Sequence, residues 1–530
     1  MTDRTAGFSL EPFSDFSKAN VRQSMKTALE QVSRRLGATF APVVGGKILA
    51  TTESIVSINP SHKRQIVGRC GRAGAEQARQ AIEAARAAFP AWRDTLVHQR
   101  VARLRAAAQI LRRRKFELAA WEVYECAKQW READADLAEA IDFCEFYASE
   151  MLRLGSPRLR NVPGEDNCYF YEPRGIAVVI APWNFPIAIL CGMTTAAAVT
   201  GNTVIMKPAE QSSVVAALLM EVFQEAGFPP GVINYLPGIG EEVGPVLVGH
   251  PDTSLIVFTG SLKVGLLLNR QAAELAPGQH HVKRVIAEMG GKNAIVIDSD
   301  ADMDEAVVGV VESAFGYQGQ KCSACSRVIV LQSCYEAFLA RLIAATKSLA
   351  VGPAEDPGNF VGPVIDEEAY QRLLGVIERG KKEARLAYAG DVGQLADEGF
   401  YIAPHIFADV RPESFLNREE FFGPILSVLS ARDMDEALHL ANDVDYALTG
   451  GLYSRSPATI AHVKRAFRVG NLYINRKITG ALVDRQPFGG FKLSGIGSKA
   501  GGPDYLLQFL LPRTITENTL RRGFAPEVTR

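Results

Sequence analysis

The sequence has no marked excess of charge of either sign and no long apolar run. It contains 58 basic and 59 acidic residues among 530, for a formal net charge of −1, so no long-range attraction to nucleic acid or anionic membranes is expected. No apolar stretch reaches the ~18 residues that a transmembrane helix needs. The segment up to Phe16 also lacks the basic and apolar regions of a secretory signal. These absences favour a soluble cytoplasmic protein that binds neither nucleic acid nor membrane.

Cysteine is sparse and is not arranged for cross-linking. The 8 cysteines are scattered, and no histidine accompanies one at a zinc-finger spacing, so neither a disulfide framework nor a metal site is expected. Cys322 and Cys325, in GYQGQKCSACSR, form a CxxC pair. A thioredoxin-like pair usually lies near the start of a small βαβ fold, whereas this one lies deep in a long chain. The pair is therefore either a redox motif or, as we favour, contains one nucleophile.

The apolar pattern changes from helical to strand-like along the chain. Residues 75–92 and 101–128 carry apolar residues at i, i+3 and i+4, which predicts helices with solvated charges on the other face. From about residue 175, apolar runs of strand length such as GIAVVIAPW and SLIVFTGS alternate with helical stretches. Such runs are typical of parallel sheets covered on both faces, so we predict a doubly wound α/β domain. A second α/β series beginning after Gly291 predicts a second domain.

Several motifs follow predicted strands, where open α/β sheets bind ligands. GIGEEVG supplies Gly240 and Gly244, one residue further apart than in the usual dinucleotide fingerprint, and FTGS offers Ser261 to a phosphate. In KPAE, Lys207 and Glu210 suit ribose hydroxyls, and the carboxylate would repel a 2′-phosphate, which favours NAD over NADP. Taken singly, the same residues also suit strand-ending glycines and a surface ion pair.

Three further side chains suit acyl chemistry. Asn184 lies between two prolines in APWNFP, a rigid loop that would hold its amide as an oxyanion donor. Glu288 in AEMGGK follows a predicted strand and is suited to taking a proton or orienting water. Cys322 is suited to attacking a carbonyl, because a thiolate is a far better nucleophile than a hydroxyl. Each one alone also has an ordinary interpretation, as a turn asparagine, a loop carboxylate or a buried thiol.

Seven motifs occur in a fixed order along nearly the whole chain: PWNFP, KPAE, FTGS, EMGGK, GQKCSACSR, EEFFGP and PFGGFKLSG. In these motifs the chain resembles the aldehyde dehydrogenases. Residues 131–143 and 475–506, with GQKCSACSR, resemble the branch that oxidises L-glutamate γ-semialdehyde, the open form of 1-pyrroline-5-carboxylate. The resemblance implies NAD-dependent oxidation of this aldehyde to L-glutamate, in proline degradation, through a cysteine thiohemiacetal and a thioester.

The resemblance also implies the fold. It is an α/β fold of the aldehyde dehydrogenase type, with a Rossmann-type NAD-binding domain, an α/β catalytic domain and a small β oligomerisation element. The implied segments are an N-terminal helical part with the first segment of the NAD-binding domain (1–155), an oligomerisation hairpin (156–174), the NAD-binding domain (175–289), the catalytic domain (290–487), and a return to the NAD-binding domain with an oligomerisation strand (488–530).

The matching motifs assign roles residue by residue. Cys322, five before the arginine of GQKCSACSR, is the implied nucleophile, which leaves Cys325 as a packing residue. Glu288 is the implied general base and Asn184 the oxyanion donor. The implied contacts of the cofactor NAD are Ile180, Trp183, Lys207, Glu210, Gly240, Gly244, Phe258, Ser261, Val264, Gly290, Glu420 and Phe422. The implied contacts of the substrate's amino-acid end are Glu139, Ser323, Gly480, Ala481 and Phe488. No metal is implied.

The sequence departs from this branch at two positions. Ala127 precedes Lys128 where glycine is common, and Met289 replaces a more usual threonine or leucine. Neither change touches the implied reacting atoms, but Met289 is expected to alter the nicotinamide pocket.

Besides the small-molecule substrate, the resemblance implies a homo-oligomer. Residues 168–175 and the tail LLQFLLPRTITENT are expected to form strands that pair across subunits, because an exposed apolar hairpin is a poor monomer surface. A separate proline dehydrogenase is a candidate partner, since the chain has no room for its barrel of about 250 residues. The alternatives are another semialdehyde as substrate, CoA as acyl acceptor, against which Glu288 argues, and a catalytically silent NAD-binding scaffold.

Overall fold

The structure, a computed structural model, describes residues 8–520. Residues 1–7 and 521–530, the ends of the first and last implied segments, lie outside the described residues. Up to residue 173 the elements are α1 (Ala19–Ser33), β1 (Ala38–Phe40), β2 (Val43–Val44), β3 (Lys47–Ile48), β4 (Ser54–Asn59), β5 (His62–Gly71), α2 (Ala75–Arg93), α3 (Val97–Arg113), α4 (Lys115–Cys126), α5 (Trp130–Leu154), β6 (Arg158–Leu159) and β7 (Glu165–Pro173).

The next elements alternate between strand and helix. They are β8 (Ile176–Ile180), α6 (Ala188–Val199), β9 (Thr203–Lys207), α7 (Ser213–Glu225), β10 (Ile233–Tyr235), α8 (Gly240–Gly249), β11 (Thr253–Thr259), α9 (Leu262–Ala273) and β12 (Arg284–Glu288). A second alternating series follows: β13 (Asn293–Ile297), α10 (Met303–Phe315), β14 (Cys325–Leu331), α11 (Tyr335–Lys347), α12 (Glu367–Gly380), β15 (Arg385–Ala389), α13 (Leu395–Glu398), β16 (His405–Ala408), α14 (Phe415–Arg418), β17 (Ile425–Ala431), α15 (Met434–Asn442), β18 (Tyr446–Ala447), β19 (Thr449–Tyr453), α16 (Pro457–Ala466) and β20 (Asn471–Ile474). The last strands are β21 (Phe491–Lys492), β22 (Gly495–Ile496) and β23 (Leu510–Asn518).

The first large sheet has eight strands in the order β22-β12-β11-β8-β9-β10-β2-β3. The five from β12 to β10 run parallel, and antiparallel strands close both edges. Alternate residues of β8 face opposite cores: Ala177 and Val179 pack towards α5 and α6, whereas Ile176 and Val178 pack towards α2 and α8. Helices thus cover both faces, which explains the uninterrupted apolar strands and confirms the predicted doubly wound α/β fold.

The strand order places a ligand-binding crevice in this sheet. After β8 the chain adds β9 and β10 on one side, and then adds β11 and β12 on the other. The order therefore reverses between β8 and β11, whose carboxyl ends carry Ile180 and Thr259. Open α/β sheets bind ligands outside the carboxyl ends of their strands at such a point.

The second large sheet has seven strands in the order β15-β16-β17-β14-β13-β19-β20. All neighbours run parallel except β15, which is antiparallel to β16. The change of sheet falls between Glu288, which ends β12, and Asn293, which begins β13. The implied domain limits remain a prediction, but this change lies at the expected place.

The expected strands at 168–175 and in the tail are present, but their pairing differs from the expectation. β23 pairs antiparallel with β7 of the same chain, from Leu510 opposite Pro173 to Asn518 opposite Glu165. β6 adds a short third strand on the other side of β7. The pairing of β23 with β7 within the chain was not expected from the sequence, and pairing of these strands across subunits stays a prediction because β23 is an edge strand of this sheet.

Candidate active site

Cys322 lies in the loop between α10 and β14, where two cavities meet. The chain turns sharply before it, because Tyr317 and Gln318 both have left-handed backbone, with φ of 49° and 56°. Such a conformation costs a non-glycine residue about 1–2 kcal/mol. Asn293 holds the loop from the other side, as its Nδ2 donates to the backbone oxygens of Cys322 at 2.7 Å and of Ala324 at 2.9 Å. The backbone around the thiol is therefore fixed at both ends.

The electrostatics of the site oppose ionisation of the Cys322 thiol. Burial raises its pKa, and the negative charges of Glu288 and Glu420 raise it further, while the backbone N–H of Ser323 lowers it. The thiol is consequently protonated near neutral pH in the ligand-free protein. A nearby positive charge or an acceptor for its proton would favour the thiolate.

The first cavity brings together every residue implied for the substrate. It is lined by Glu139, Ser323, Gly480, Ala481 and Phe488 together with Cys322 and Glu288. Gly480 has φ of +74°, a left-handed conformation that suits glycine at this turn. Ser323 is buried, and its backbone oxygen accepts a bond from Thr449 Oγ1 at 3.2 Å.

Glu288 ends β12 and faces this cavity. Burial raises the pKa of its carboxyl to about 7, although the Ala500 backbone N–H and the charge of Lys499 act in the opposite direction. Its Oε1 is buried and has no hydrogen-bond partner among the described residues. A carboxylate with this pKa and a free oxygen is suited to accept a proton from a water molecule.

Glu139, on α5, has a second carboxyl with a perturbed pKa in the same cavity. Burial raises its pKa to about 8, and the charges of Asp136, Asp142 and Glu288 act in the same direction, whereas Lys128 lowers it. A cationic ligand group would stabilise its ionised form.

Asn184 faces the second cavity. Its side chain is directed at residues 316–324, the loop that carries Cys322, which is called here the nucleophile loop after the implied role of that residue. Asn184 is buried, and its Nδ2 donates to the backbone oxygen of Gln320 at 3.0 Å, two residues before Cys322. The side-chain amide has two hydrogens. One of them therefore remains available to donate to a ligand oxygen in this cavity.

The second cavity contains part of the implied cofactor set. Trp183, Ser261, Gly290, Glu420 and Phe422 line it along with Asn184 and Cys322. The rings of Trp183 and Phe422 meet edge to face, with centroids 5.6 Å apart. A Cβ at Gly290 would collide with the Glu420 carboxylate, whose Oε1 accepts from the Gly291 N–H at 3.0 Å. The absence of a side chain at Gly290 thus lets Glu420 reach the cavity.

Other implied cofactor residues lie at the carboxyl edge of the eight-stranded sheet, beyond this cavity. Ile180 is paired on one side with Lys207 and on the other with Phe258. Glu210 Oε1 lies 2.8 Å from both Lys207 Nζ and the Gly240 backbone N at the start of α8. Strand ends and a helix N-terminus together suit the phosphates and ribose of a dinucleotide.

Two implied cofactor residues lie less directly on this edge. Val264 is exposed in the first turn of α9, where the Ser261 hydroxyl caps the helix by accepting from the Val264 N–H at 3.4 Å. Gly244 lies one turn inside α8 and lines neither cavity. Their contacts with a cofactor remain predictions.

The structure also shows the positions of Cys325, the expected packing residue, and of Met289 and Ala127, the two departures from the family pattern. Cys325 is buried as the first residue of β14, and burial raises the pKa of its thiol to about 12. Met289 is buried with Phe258 beneath α9 and lines neither cavity, so the expected effect on the nicotinamide pocket is not direct. Ala127 has φ of 51°, a left-handed helix end for which glycine is the usual residue.

Several lining residues were not identified from the sequence. Tyr147 stacks between Phe143 and Tyr505, with ring centroids 5.4 and 5.5 Å away, and forms an aromatic wall of the first cavity. Arg372 of α12 lines the second cavity. Each lies on an amphipathic helix, which predicts a buried face for Tyr147 and a solvated face for Arg372 but predicts a cavity for neither.

Within residues 8–520, every helix is too short or too polar to span a lipid bilayer. The same residues contain no group of three or more His, Cys, Asp or Glu side chains placed to hold a metal ion.

A model of the aldehyde dehydrogenase family matches residues 48–515. The chain belongs to this family. It is 49% identical over 509 residues to the 1-pyrroline-5-carboxylate dehydrogenase of Geobacillus thermodenitrificans, covering 96% of this chain and 98% of that one. The family predicted from the seven motifs is thus confirmed.

Two solved structures superimpose on nearly the whole of this chain. A 1-pyrroline-5-carboxylate dehydrogenase from Thermus with bound NAD superimposes with a TM-score of 0.94 at 49% identity, over 96% of this chain and 99% of that one. Proline utilization A from Bdellovibrio bacteriovorus superimposes with a TM-score of 0.96 at 52% identity, over 99% of this chain but 55% of that one. The present chain therefore spans about half the length of that longer protein.

Proposed function

We propose that this aldehyde dehydrogenase oxidises L-glutamate γ-semialdehyde to L-glutamate with NAD⁺. The observation that supports this proposal most strongly is the match to enzymes named 1-pyrroline-5-carboxylate dehydrogenase, at 49% identity over 96% of the chain. The open form of that imine is the semialdehyde, which carries the electrophilic carbon that a cysteine attacks.

The chemistry begins at Cys322. Its thiol gives up its proton to solvent, and the thiolate adds to the aldehyde carbon to form a thiohemiacetal oxyanion, whose oxygen is stabilised by the second N–H of the Asn184 amide and by the Cys322 backbone N–H. Departure of hydride from that carbon leaves a thioester on Cys322.

NAD⁺, when bound in the second cavity, would supply the hydride acceptor and a positive charge. Glu420 and Phe422 would hold its nicotinamide half, Ser261 its pyrophosphate, and Lys207 and Glu210 its adenosine ribose. The residues fit this ligand because the second cavity begins at Cys322 and follows the carboxyl edge where the strand order reverses.

Glu288 completes the reaction by hydrolysis. Its carboxylate takes a proton from water as that water attacks the thioester, which releases L-glutamate and regenerates the thiol. The pKa of about 7 keeps much of the carboxyl ionised near neutral pH while making it a stronger base than an ordinary glutamate.

The first cavity recognises the amino-acid end of the substrate. The Ser323 hydroxyl and the backbone N–H groups of Gly480 and Ala481 bind the α-carboxylate, because small residues let the main chain approach an anion closely. Glu139 binds the α-ammonium, whose charge favours the ionised carboxyl.

The test is NADH formation by the purified wild type with L-glutamate γ-semialdehyde, with propanal as an uncharged aldehyde and with NADP⁺ in place of NAD⁺. We expect the highest kcat/KM with the semialdehyde and NAD⁺. A preference for propanal would refute the proposal that the semialdehyde is the substrate. If no aldehyde gave NADH, the alternative of a catalytically silent NAD-binding scaffold would be supported instead.

We also propose that the protein is at least a dimer. β23 pairs with β7 along one edge only, and its apolar Leu511 and Ile515 are exposed, a surface that monomers usually avoid. Sedimentation at micromolar concentration is expected to show a species larger than 57.6 kDa. A single species of that mass would refute the proposal.

A further inference from the structure

The start of α5 contacts both loops that meet at the reacting carbon. Lys128, fully buried just before α5, donates from its Nζ to the backbone oxygen of Asn184 at 2.7 Å. The same ammonium lies over the rings of Phe185 at 4.1 Å and Tyr317 at 4.6 Å from their centroids. Phe185 belongs to residues 181–187, the loop that carries Asn184 and is called here the oxyanion loop. Tyr317 belongs to the nucleophile loop, residues 316–324.

The far end of the oxyanion loop is held by the partner of Lys128. Asp136 Oδ1 lies 3.8 Å from Lys128 Nζ, and its Oδ2 accepts from the backbone N–H groups of Ile187 at 3.1 Å and Ala188 at 3.2 Å. A buried ion pair thus holds this loop at Asn184 itself and at its C-terminal end, where α6 begins.

The nucleophile loop is tied to the same turn of helix. Gln129 Nε2 donates to Gln318 Oε1 at 2.7 Å, and Glu132 Oε2 lies 2.7 Å from Lys321 Nζ, directly before Cys322. The α5 start therefore provides a common support for the two loops, which are also joined directly by the bond from Asn184 to Gln320.

This arrangement is costly if its only role is stability. Glu122 is fully buried beside Asp136, and burial together with the Asp136 carboxylate raises the pKa of Glu122 well above its ordinary value. Replacing buried ions by apolar residues of similar volume is often neutral or stabilising. A fully buried lysine that ends on the Asn184 carbonyl therefore indicates a role in placing that residue.

We propose that Lys128 is a positioning residue for the oxyanion donor: it fixes the main chain of Asn184 so that the side-chain amide points at the carbon attacked by Cys322. The inference deepens the proposed function but concerns any aldehyde that reacts at Cys322. Lys128 contacts neither aldehyde nor cofactor in this role, so its loss affects the chemical step and leaves cofactor binding intact.

The first experiment compares Lys128→Met with the wild type by stopped flow, with enzyme in excess over aldehyde. The rate of NADH formation is expected to fall roughly 10- to 100-fold, because a misplacement of about 1 Å at a reacting group has that effect. The Kd of NAD⁺, measured by fluorescence titration, is expected to stay within about twofold. An unchanged rate would overturn the proposal.

Lys115→Met is the matched control. Lys115 is also buried and also pairs with α5, its Nζ lying 2.9 Å from Asp134 Oδ1, but that pair contacts neither loop. Its removal is expected to lower the melting temperature and to leave the rate of NADH formation unchanged. An equal loss of rate in both lysine variants would mean that Lys128 has a structural role only.

A double-mutant cycle decides whether Lys128 acts through Asn184. Asn184→Ala alone is expected to slow NADH formation about 10²- to 10³-fold, and adding Lys128→Met is expected to cost little more, because the group it positions is gone. If the loss of rate in the double variant instead equals the product of the losses in the two single variants, the proposal is overturned. If Lys128→Met does not fold, the double variant Lys128→Met with Asp136→Asn replaces it. This variant removes both buried charges and keeps an amide oxygen that can accept from the backbone N–H groups of Ile187 and Ala188. The same rates of NADH formation are then measured with this variant.

The substrate assignment is tested separately in the same experiments. A wild type that reduces NAD⁺ with propanal but not with the semialdehyde refutes the proposed substrate, while the rate ratio for Lys128→Met is still measured with propanal.

Discussion

Glu288 and Cys322 line one cavity from two different sheets. Glu288 ends the parallel strand β12 of the first sheet, whereas Cys322 precedes β14 of the second. The proposed base and the proposed nucleophile are thus positioned by separate hydrophobic cores, so their separation depends on how the two sheets pack.

The two cysteines of CSAC are expected to respond differently to substitution. Cys322→Ala removes the nucleophile and should abolish NADH formation, while binding of NAD⁺ persists because most implied contacts lie on the first sheet. Cys325→Ala removes a buried sulfur that contacts the Arg327 backbone oxygen at 3.2 Å, and should cost about 1 kcal/mol of unfolding free energy with activity largely retained. Steady-state assays and thermal melts measure both effects, and an inactive Cys325 variant beside an active Cys322 variant would reverse the assignment.

The raised pKa of Glu288 predicts the pH dependence of thioester hydrolysis. The carboxyl must be ionised to accept a proton, so hydrolysis should slow as the pH falls through about 7. An ordinary glutamate would lose activity only near pH 4.5. The measurement is the rate of glutamate release in a single turnover across this range. Glu288→Gln should be slow at every pH, and a bend near 7 that survives in this variant would assign it to another group, such as Glu139.

Cofactor preference is expected to depend on Glu210. Its carboxylate occupies the position between Lys207 Nζ and the N-terminus of α8, where a 2′-phosphate would meet a negative charge. In Glu210→Gln the kcat/KM for NAD⁺ divided by that for NADP⁺ should fall by about tenfold or more. This is the effect expected from the loss of one hydrogen bond to a charged group. Glu76→Gln, at an exposed position of α2, is the control and should leave the ratio unchanged.

Ser323 is expected to distinguish charged from uncharged aldehydes. Losing one hydrogen bond to a carboxylate costs about 1.5–3 kcal/mol, roughly 10- to 150-fold in kcat/KM. Ser323→Ala should show this loss with L-glutamate γ-semialdehyde and almost none with propanal. Ser326→Ala, whose hydroxyl lies 3.4 Å from the Asn293 backbone oxygen and outside the first cavity, is the control. An equal loss on both aldehydes would show that Ser323 supports the nucleophile instead.

Local sequence accounts for much of the fold and for the centre of the site. The strand at Ile176 is predictable because both of its faces are buried, which requires an unbroken apolar run. Asn184 lies between Pro182 and Pro186, Glu288 ends β12 just before two glycines, and Cys322 precedes β14, so ordered motifs make all three recognisable.

The remaining features depend on contacts distant in sequence. Lys128 follows an ordinary helix, and its role comes only from the approach of Asn184, 56 positions later. Arg372 reaches the second cavity from an amphipathic helix with no motif of its own. The pairing of β23 with β7 was missed because alternation predicts a strand without specifying its partner.

The most direct test of the account is the mass of the enzyme trapped between its two chemical steps. Glu288→Gln is mixed with NAD⁺ and L-glutamate γ-semialdehyde, quenched with acid after one turnover, and analysed by mass spectrometry before and after proteolysis. We predict about one NADH and one glutamyl group per subunit, the latter on the peptide at Cys322. An unmodified chain after NADH has formed, or a glutamyl group on Cys325, would contradict the account.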